Sequence, residues 1–287
     1  MKFTYGHRVT SSFLLWLENR LLTNGEAFSN ISGQYFYDVK DTFTNYNAYS
    51  IPFGPIAYDE SVSNLQLFSG VYLDNTFVPT GDASGLLAIN YKKGQIYFQS
   101  GVANNRLSGN FAVPDFDIKL TNKPEEELLF ETTYEVRPKV GQTITGLQPN
   151  ETRYPVIFVK PFGGRNQEFA MGGLEKDGYD FRLIVLADSQ YKLDGAVSIL
   201  KDQTRSIIPL ITGINEMPFN SYGDFANGSY NYRALITGRA NSDNSMWLED
   251  VMVSSVGRRY TELTDINPAA FVALVDCRVE AYRVTRG

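Results

Sequence analysis

The chain has 287 residues, 43% of them hydrophobic and 20% charged, so it can bury a real core without a covalent staple. A formal net charge of -6 argues against a sequence-independent grip on nucleic acid, which needs clustered Lys and Arg. The single cysteine, Cys277, excludes an intrachain disulfide and Cys-based metal clusters.

The 18 Tyr and 19 Phe favour strands and interfaces over helical bundles. Residues 1–8 lack the basic-then-apolar layout of a secretory signal, and no stretch reaches the roughly 20 apolar residues of a membrane span. The expectation is a soluble protein made in a cytoplasm, with no membrane partner.

In chain order, Ser11 or Ser12 caps a helix in which Phe13, Leu14, Trp16, Leu17, Leu21 and Leu22 recur at helical spacing, and Asn24-Gly25 ends it. Its wide apolar stripe must be covered by the rest of the protein or by another subunit. Residues 32–130 break into short extended runs separated by Gly, Pro, Asn and Asp, an antiparallel β pattern with no helix. Within it, 85–91 and 95–100 form a hairpin around Lys92-Lys93-Gly94, residues 71–78 alternate as a strand, and 65–68 add another. Residues 121–127 and 138–150 suit turns or hinges.

Residues 155–159 and 179–187 read as strands, the second apolar enough to be central in a sheet. The stretch 162–178, glycine-bearing and polar, reads as a long loop of the kind that binds partners. Asp188 and Ser189 cap a helix running to Ile208, with Pro209 at its end. Three strands follow, 229–237, 245–253 and 273–282. In the last, Val275, Cys277, Val279 and Ala281 share a buried face opposite Asp276, Arg278, Glu280 and Tyr282, which makes Cys277 a core residue.

Catalytic residues are sparse. His7 is the only histidine, so paired-His metal sites are excluded and triads weakened. Carboxylate pairs such as Asp115 with Asp117, or Glu249 with Asp250, could serve a hydrolase, but they are ordinary in a chain of this size. The loop at Asp74-Asn75 with Asp82 lacks the ligand spacing of an EF-hand, and Gly163-Gly164 lacks the Lys-Ser/Thr of a phosphate loop. No cofactor and no metal are expected.

Taken together, the strand 179–187, the capped helix 189–208 and the closing strand 273–282 resemble the small α/β module of phage tail-terminator and neck proteins, with the helix 12–22 as its first helix. Residues 70–80 through 95–98 also resemble uncharacterised virion structural proteins. The departure is the long β stretch between helix and sheet. The resemblance implies a β-rich α+β fold: an α/β ring-forming module over 1–31 and 132–287, carrying a large antiparallel β insertion over 32–131. It implies self-association into a ring, commonly a hexamer, at the neck or tail of a virion assembled in the host cytoplasm. The neighbours would be the tail tube, sheath or head connector, with no specific nucleic acid and no enzymatic role.

On that reading the interface candidates are Phe162, Arg165 and Asn166; Tyr222, Asn227 and Tyr230; and Arg258, Arg259 and Tyr260. The alternative is a carbohydrate-binding or adhesin-like β-sandwich module of a tail or baseplate, in which Trp247 or Tyr222 would meet the sugar.

Overall fold

A computed structural model describes residues 5–38, 46–80, 85–99, 106–136, 151–170, 174–211, 229–237, 245–255 and 271–284. The fold is α+β and strand-rich. Helix α1 (Tyr5–Asn24) begins a full turn before Ser11, because Val9 is buried with the rest of the helix; Ser12 is no cap and instead accepts a hydrogen bond from the Ile211 backbone N–H at 3.0 Å. The chain itself covers the apolar stripe: Trp16 is fully buried, and Phe13 stacks on Phe181 with ring centroids 4.3 Å apart. The helix stops where expected. At Gly25 a Cβ would sit 2.5 Å from Ile199 Cδ1 and 2.8 Å from the Leu21 carbonyl, so only glycine fits.

Strands β1 (Phe28–Tyr35), β2 (Tyr37–Asp38), β3 (Tyr46–Ser50), β4 (Gly70–Leu73), β5 (Thr76–Pro79), β6 (Leu86–Asn90), β7 (Gln95–Gln99) and β8 (Leu107–Pro114) build two antiparallel sheets, ordered β1-β8-β4-β5 and β2-β3-β7-β6. The β6–β7 hairpin is as expected; its Gly94, at φ +61°, approaches Gly54 so closely that a Cβ would lie 2.0 Å from the Gly54 carbonyl. Residues 71–78 are two strands, not one, because Asp74 and Asn75 take positive φ and turn the chain. Residues 65–68 join no ladder, although the Gln66 carbonyl accepts from the Ala112 N–H.

The main sheet follows. It consists of β9 (Asp117–Leu120), β12 (Val156–Ala170), β13 (Leu174–Ala187), β14 (Ile207–Pro209), β15 (Ser245–Ser255) and β16 (Phe271–Val284) in the order β14-β15-β16-β13-β12-β9. Only β9–β12 is parallel. A short parallel pair, β10 (Thr133–Val136) with β11 (Glu151–Tyr154), lies apart. The expected central position of 179–187 holds, and so does the alternation of 273–282, with Val275, Cys277, Val279 and Ala281 all buried.

One core joins α1, both small sheets and this face of the main sheet, which α2 (Gln190–Asp202) also covers through Leu193, Ala196 and Leu200. The strand pairing crosses the expected domain boundaries, since β1 runs through 31/32 and β9 joins the main sheet from within 32–131. The opposite face carries a smaller cluster around Leu128, Leu129, Tyr154, Phe158, Ile184 and Leu186.

Four further expectations need correction. Residues Glu127–Glu131 form a short π-helical turn inside the stretch read as helix-free, placing Leu128 and Leu129 on the sheet. The helix capped by Ser189 ends at Asp202: Arg205 takes φ +68°, and 207–209 continue as β14 because Ile207 mimics a helical position seven residues after Leu200. Residues 229–237 are not a strand. Asn231 caps a short helix, α3 (Tyr232–Ile236), by accepting from the Ala234 N–H at 2.9 Å.

Finally, 162–170 and 174–178 are no loop but paired strand, the outer parts of β12 and β13. Every residue of β12 from Pro161 to Glu168 is exposed, and a strand that buries neither face shows no apolar alternation to read. The stretch 138–150 lies outside the described residues.

Candidate assembly surface

The outer face of the main sheet carries side chains that alternate away from the core. On β13 and β16, Arg182 and Asp276 are register partners, and the guanidinium grips the carboxylate through two bonds, Nε–Oδ1 at 2.6 Å and Nη2–Oδ2 at 3.0 Å. A third nitrogen, Nη1, donates to Glu125 at 2.7 Å, just before the π-turn. Hydrogen bonds to Asp276 and then Glu125 hold the Arg182 pKa above its usual value. Its guanidinium carbon lies 5.2 Å from the centroid of the Phe162 ring, which is 51% exposed at a bulge in β12.

Further along the same face, Lys176 pairs with Glu280 at 2.5 Å, while Arg278 reaches Glu249 at 3.3 Å and Glu280 at 3.6 Å. Burial raises the Glu280 pKa, but hydrogen bonds from Glu249 and Lys176 outweigh it and hold the carboxyl low. The Glu249 carboxyl is held above its usual value, first by its hydrogen bond to Glu280. Gly178 sits among these charges. A Cβ there would face Arg165 at 3.7 Å and Arg278 Nη2 at 3.8 Å, so the missing side chain leaves a notch lined by two arginines. Trp247, the register partner of Glu280, is 42% exposed, and Met252 beside Asp276 is 59% exposed.

Three of the expected interface residues gather here. Phe162, Arg165 and Asn166 lie on one exposed stretch of β12; Phe162 and Arg165 share the outer face, whereas Asn166, the register partner of Asp177, alternates to the other and donates its amide to Glu175 at 2.8 Å. Tyr230 does not belong to the surface: it is 8% exposed, packed 5.0 Å from Tyr58 and bridged to Asp59, because its aromatic side chain fills core beneath α1. Tyr222, Asn227, Arg258, Arg259 and Tyr260 lie outside the described residues. No protein-family profile and no curated protein matches the chain. The surface therefore has to be read from its own chemistry.

The sequence reading missed Arg182, Lys176 and Met252, and took Glu249 only as half of an ordinary carboxylate pair with Asp250. The signal existed, since Lys176, Asp180 and Arg182, with Gly178 between them, and Asp276, Arg278 and Glu280 mark one face of two neighbouring strands.

Elsewhere, Cys277 is buried in the core, and burial pushes its thiol up to about 12. Asp117 is engaged by Lys92 at 3.3 Å and Lys119 at 3.2 Å. Among the described residues no cluster of His, Cys, Asp and Glu is arranged to hold a metal ion. A shallow groove of about 220 Å³ lies between β4–β5 and the segment before β4, lined by Gln66, Ser69, Gly70, Tyr72, Phe77 and Asn110. The Tyr72 and Phe77 rings flank it with centroids 5.3 Å apart, and Asn110 Oδ1 is held by the Gly33 N–H.

Proposed function

We propose that the protein is a structural, non-enzymatic subunit of a ring at the neck or tail end of a tailed phage, acting as a tail terminator or neck connector in head-tail joining. The supporting observation is the outer face of the main sheet, where Phe162, Trp247 and Met252 stand exposed among arginines already fixed by ion pairs. Aromatic and arginine side chains dominate interface energies, and side chains ordered in advance lose little freedom on docking. What further supports the reading is that α1 and α2 pack on one face of the main sheet, whose strands are antiparallel except for β9–β12. On this reading the neighbours are the tail tube, sheath or head connector, and assembly takes place in the host cytoplasm.

Light scattering on the purified protein should return a fixed multiple of 32.2 kDa, with closed rings in negative stain. A monomer at every concentration tested overturns the reading.

A second reading, carbohydrate binding, is favoured by the groove at Tyr72 and Phe77. Its lining is aromatic, amide and hydroxyl with one aliphatic side chain, Leu67, and no charged one, which suits a neutral saccharide. If so, the protein will bind neutral glycans on an array, and Phe77→Ala will weaken that binding roughly tenfold or more. A blank array removes this reading.

A further inference from the structure

Among the described residues, the main sheet has two stretches without an outer neighbour, at opposite edges. On one side β9 pairs with β12 only from Val156 to Val159, and among the described residues no strand lies beside 160–170. On the other side β14 pairs with β15 only as far as Trp247, and Leu248 exchanges backbone hydrogen bonds with Arg205 and Ser206. Beyond it, residues 249–255 likewise have no neighbouring strand among the described residues. Unpaired edges of this length are templates for strand addition.

The two edges differ in charge. The β12 edge carries Lys160 and Arg165, with Glu168 beyond them, whereas the β15 edge carries Glu249 and Asp250. Two β15 edges brought together would set acid against acid, and two β12 edges would bring Arg165 near its own copy. A β12 edge against a β15 edge sets opposite charges together. Direction agrees as well: β12, β13, β16 and β15 alternate antiparallel, so β15 runs opposite to β12, and a second copy in the same orientation continues the alternation.

An antiparallel register that sets Arg165 beside Asp250 puts Gly163 opposite Met252 and Phe162 opposite Val253. Pro161, which has no N–H to donate, falls just outside the paired stretch.

We infer that copies of this chain join head to tail, residues 249–253 of β15 pairing antiparallel with residues 162–166 of β12 in the next copy. The inference rests on the ring reading and names its contact. Such a junction uses two different surfaces on each copy, the arrangement that yields a ring when the rotation closes and a filament when it does not. A sheet continued in this way forms a wall around the axis, with the strands tilted as in a barrel.

The test is thiol cross-linking with a short bis-maleimide on Gly163→Cys and Met252→Cys, substitutions that leave every charged residue of the two edges in place. Cys277 is buried and stays silent in the folded protein. The double variant should give a ladder of covalent multimers on a denaturing gel. An equimolar mixture of the two single variants should stop at dimers, and each single variant alone should remain monomeric. Dimers from one single variant alone would mean like-with-like pairing and overturn the inference. Oligomers by light scattering without any cross-link would overturn it while leaving the ring reading intact, whereas a monomer by scattering would remove both.

Discussion

Asp59→Ala will destabilise the protein by about 3–5 kcal/mol, the range for stripping a buried charged acceptor from its donors. Asp59 is buried, and its carboxylate is the meeting point of three segments distant in sequence. One oxygen accepts from the Asn19 amide on α1 at 2.8 Å; the other accepts from the backbone N–H of Ser61 at 2.9 Å and of Tyr232, in the first turn of α3, at 3.0 Å. Backbone bonds from Tyr230 N–H to the Tyr58 carbonyl and from Glu60 N–H to the Tyr230 carbonyl run alongside, so the carboxylate secures the seam between α1, 58–61 and 230–232.

Alanine would leave the Ser61 and Tyr232 N–H groups without an acceptor and the Asn19 amide with only Ser61 Oγ at 3.3 Å, in a region closed by Tyr58 and Tyr230. Asparagine keeps one acceptor oxygen for the two backbone donors and should cost less, about 1–2 kcal/mol. Urea unfolding measures both. An Asp59→Ala midpoint indistinguishable from wild type would mean that water replaces the carboxylate and that the seam is wetter than its packing indicates.

That seam shows where the sequence was legible and where it was not. The central strands 179–187 and 273–282, the hairpin around Lys92-Lys93-Gly94 and the Ser189 cap could be read because each is a local pattern serving a local structure. Asp59, Asn19 and Tyr232 come together only through the tertiary fold, and nothing in the spacing of residues 19, 59 and 232 announces it. Residues 229–237 mislead for the same reason: alternating aromatics suggest a strand, but Asn231 is a helix cap and Tyr230 turns inward.

The β12–β13 hairpin fails in a different way. Residues 161–168 of β12 are held by the ladder to β13 and are all exposed, so the Gly163-Gly164-Arg165-Asn166 stretch carries the composition of a loop. Its place as an interface candidate came from that polar composition. The part of the surface that sequence alone could have supplied was the charged alternation on 176–182 and 276–280, which becomes informative once those strands are known to be neighbours.

The second large effect depends on pH and centres on Glu18, one residue before Asn19 on α1. Burial raises its carboxyl from the usual 4.5 to about 7; Lys92 opposes the rise, while the charges of Asp59 and Asp117 add to it. The Tyr58 and Tyr230 hydroxyls, held well above the usual phenol range by burial first, also feel the Glu18 charge. A carboxyl whose folded pKa lies above its unfolded value binds its proton more tightly when folded. Its contribution to stability is therefore complete below about pH 4.5 and is lost as the pH rises through about 7, with a ceiling of about 3 kcal/mol.

Glu18→Gln keeps the shape and removes the titration. The variant should match wild type near pH 4.5 and exceed its unfolding free energy by about 2–3 kcal/mol at pH 8, with the gap opening between those limits. Because the comparison is a difference between two proteins sharing every other ionisable group, titrations elsewhere cancel. Denaturant unfolding at four or five pH values is sufficient. A gap that stays constant across the range would place the Glu18 carboxylate in contact with solvent, and a gap of opposite sign would mean that Lys92 dominates and that the ionised form is the one the fold prefers.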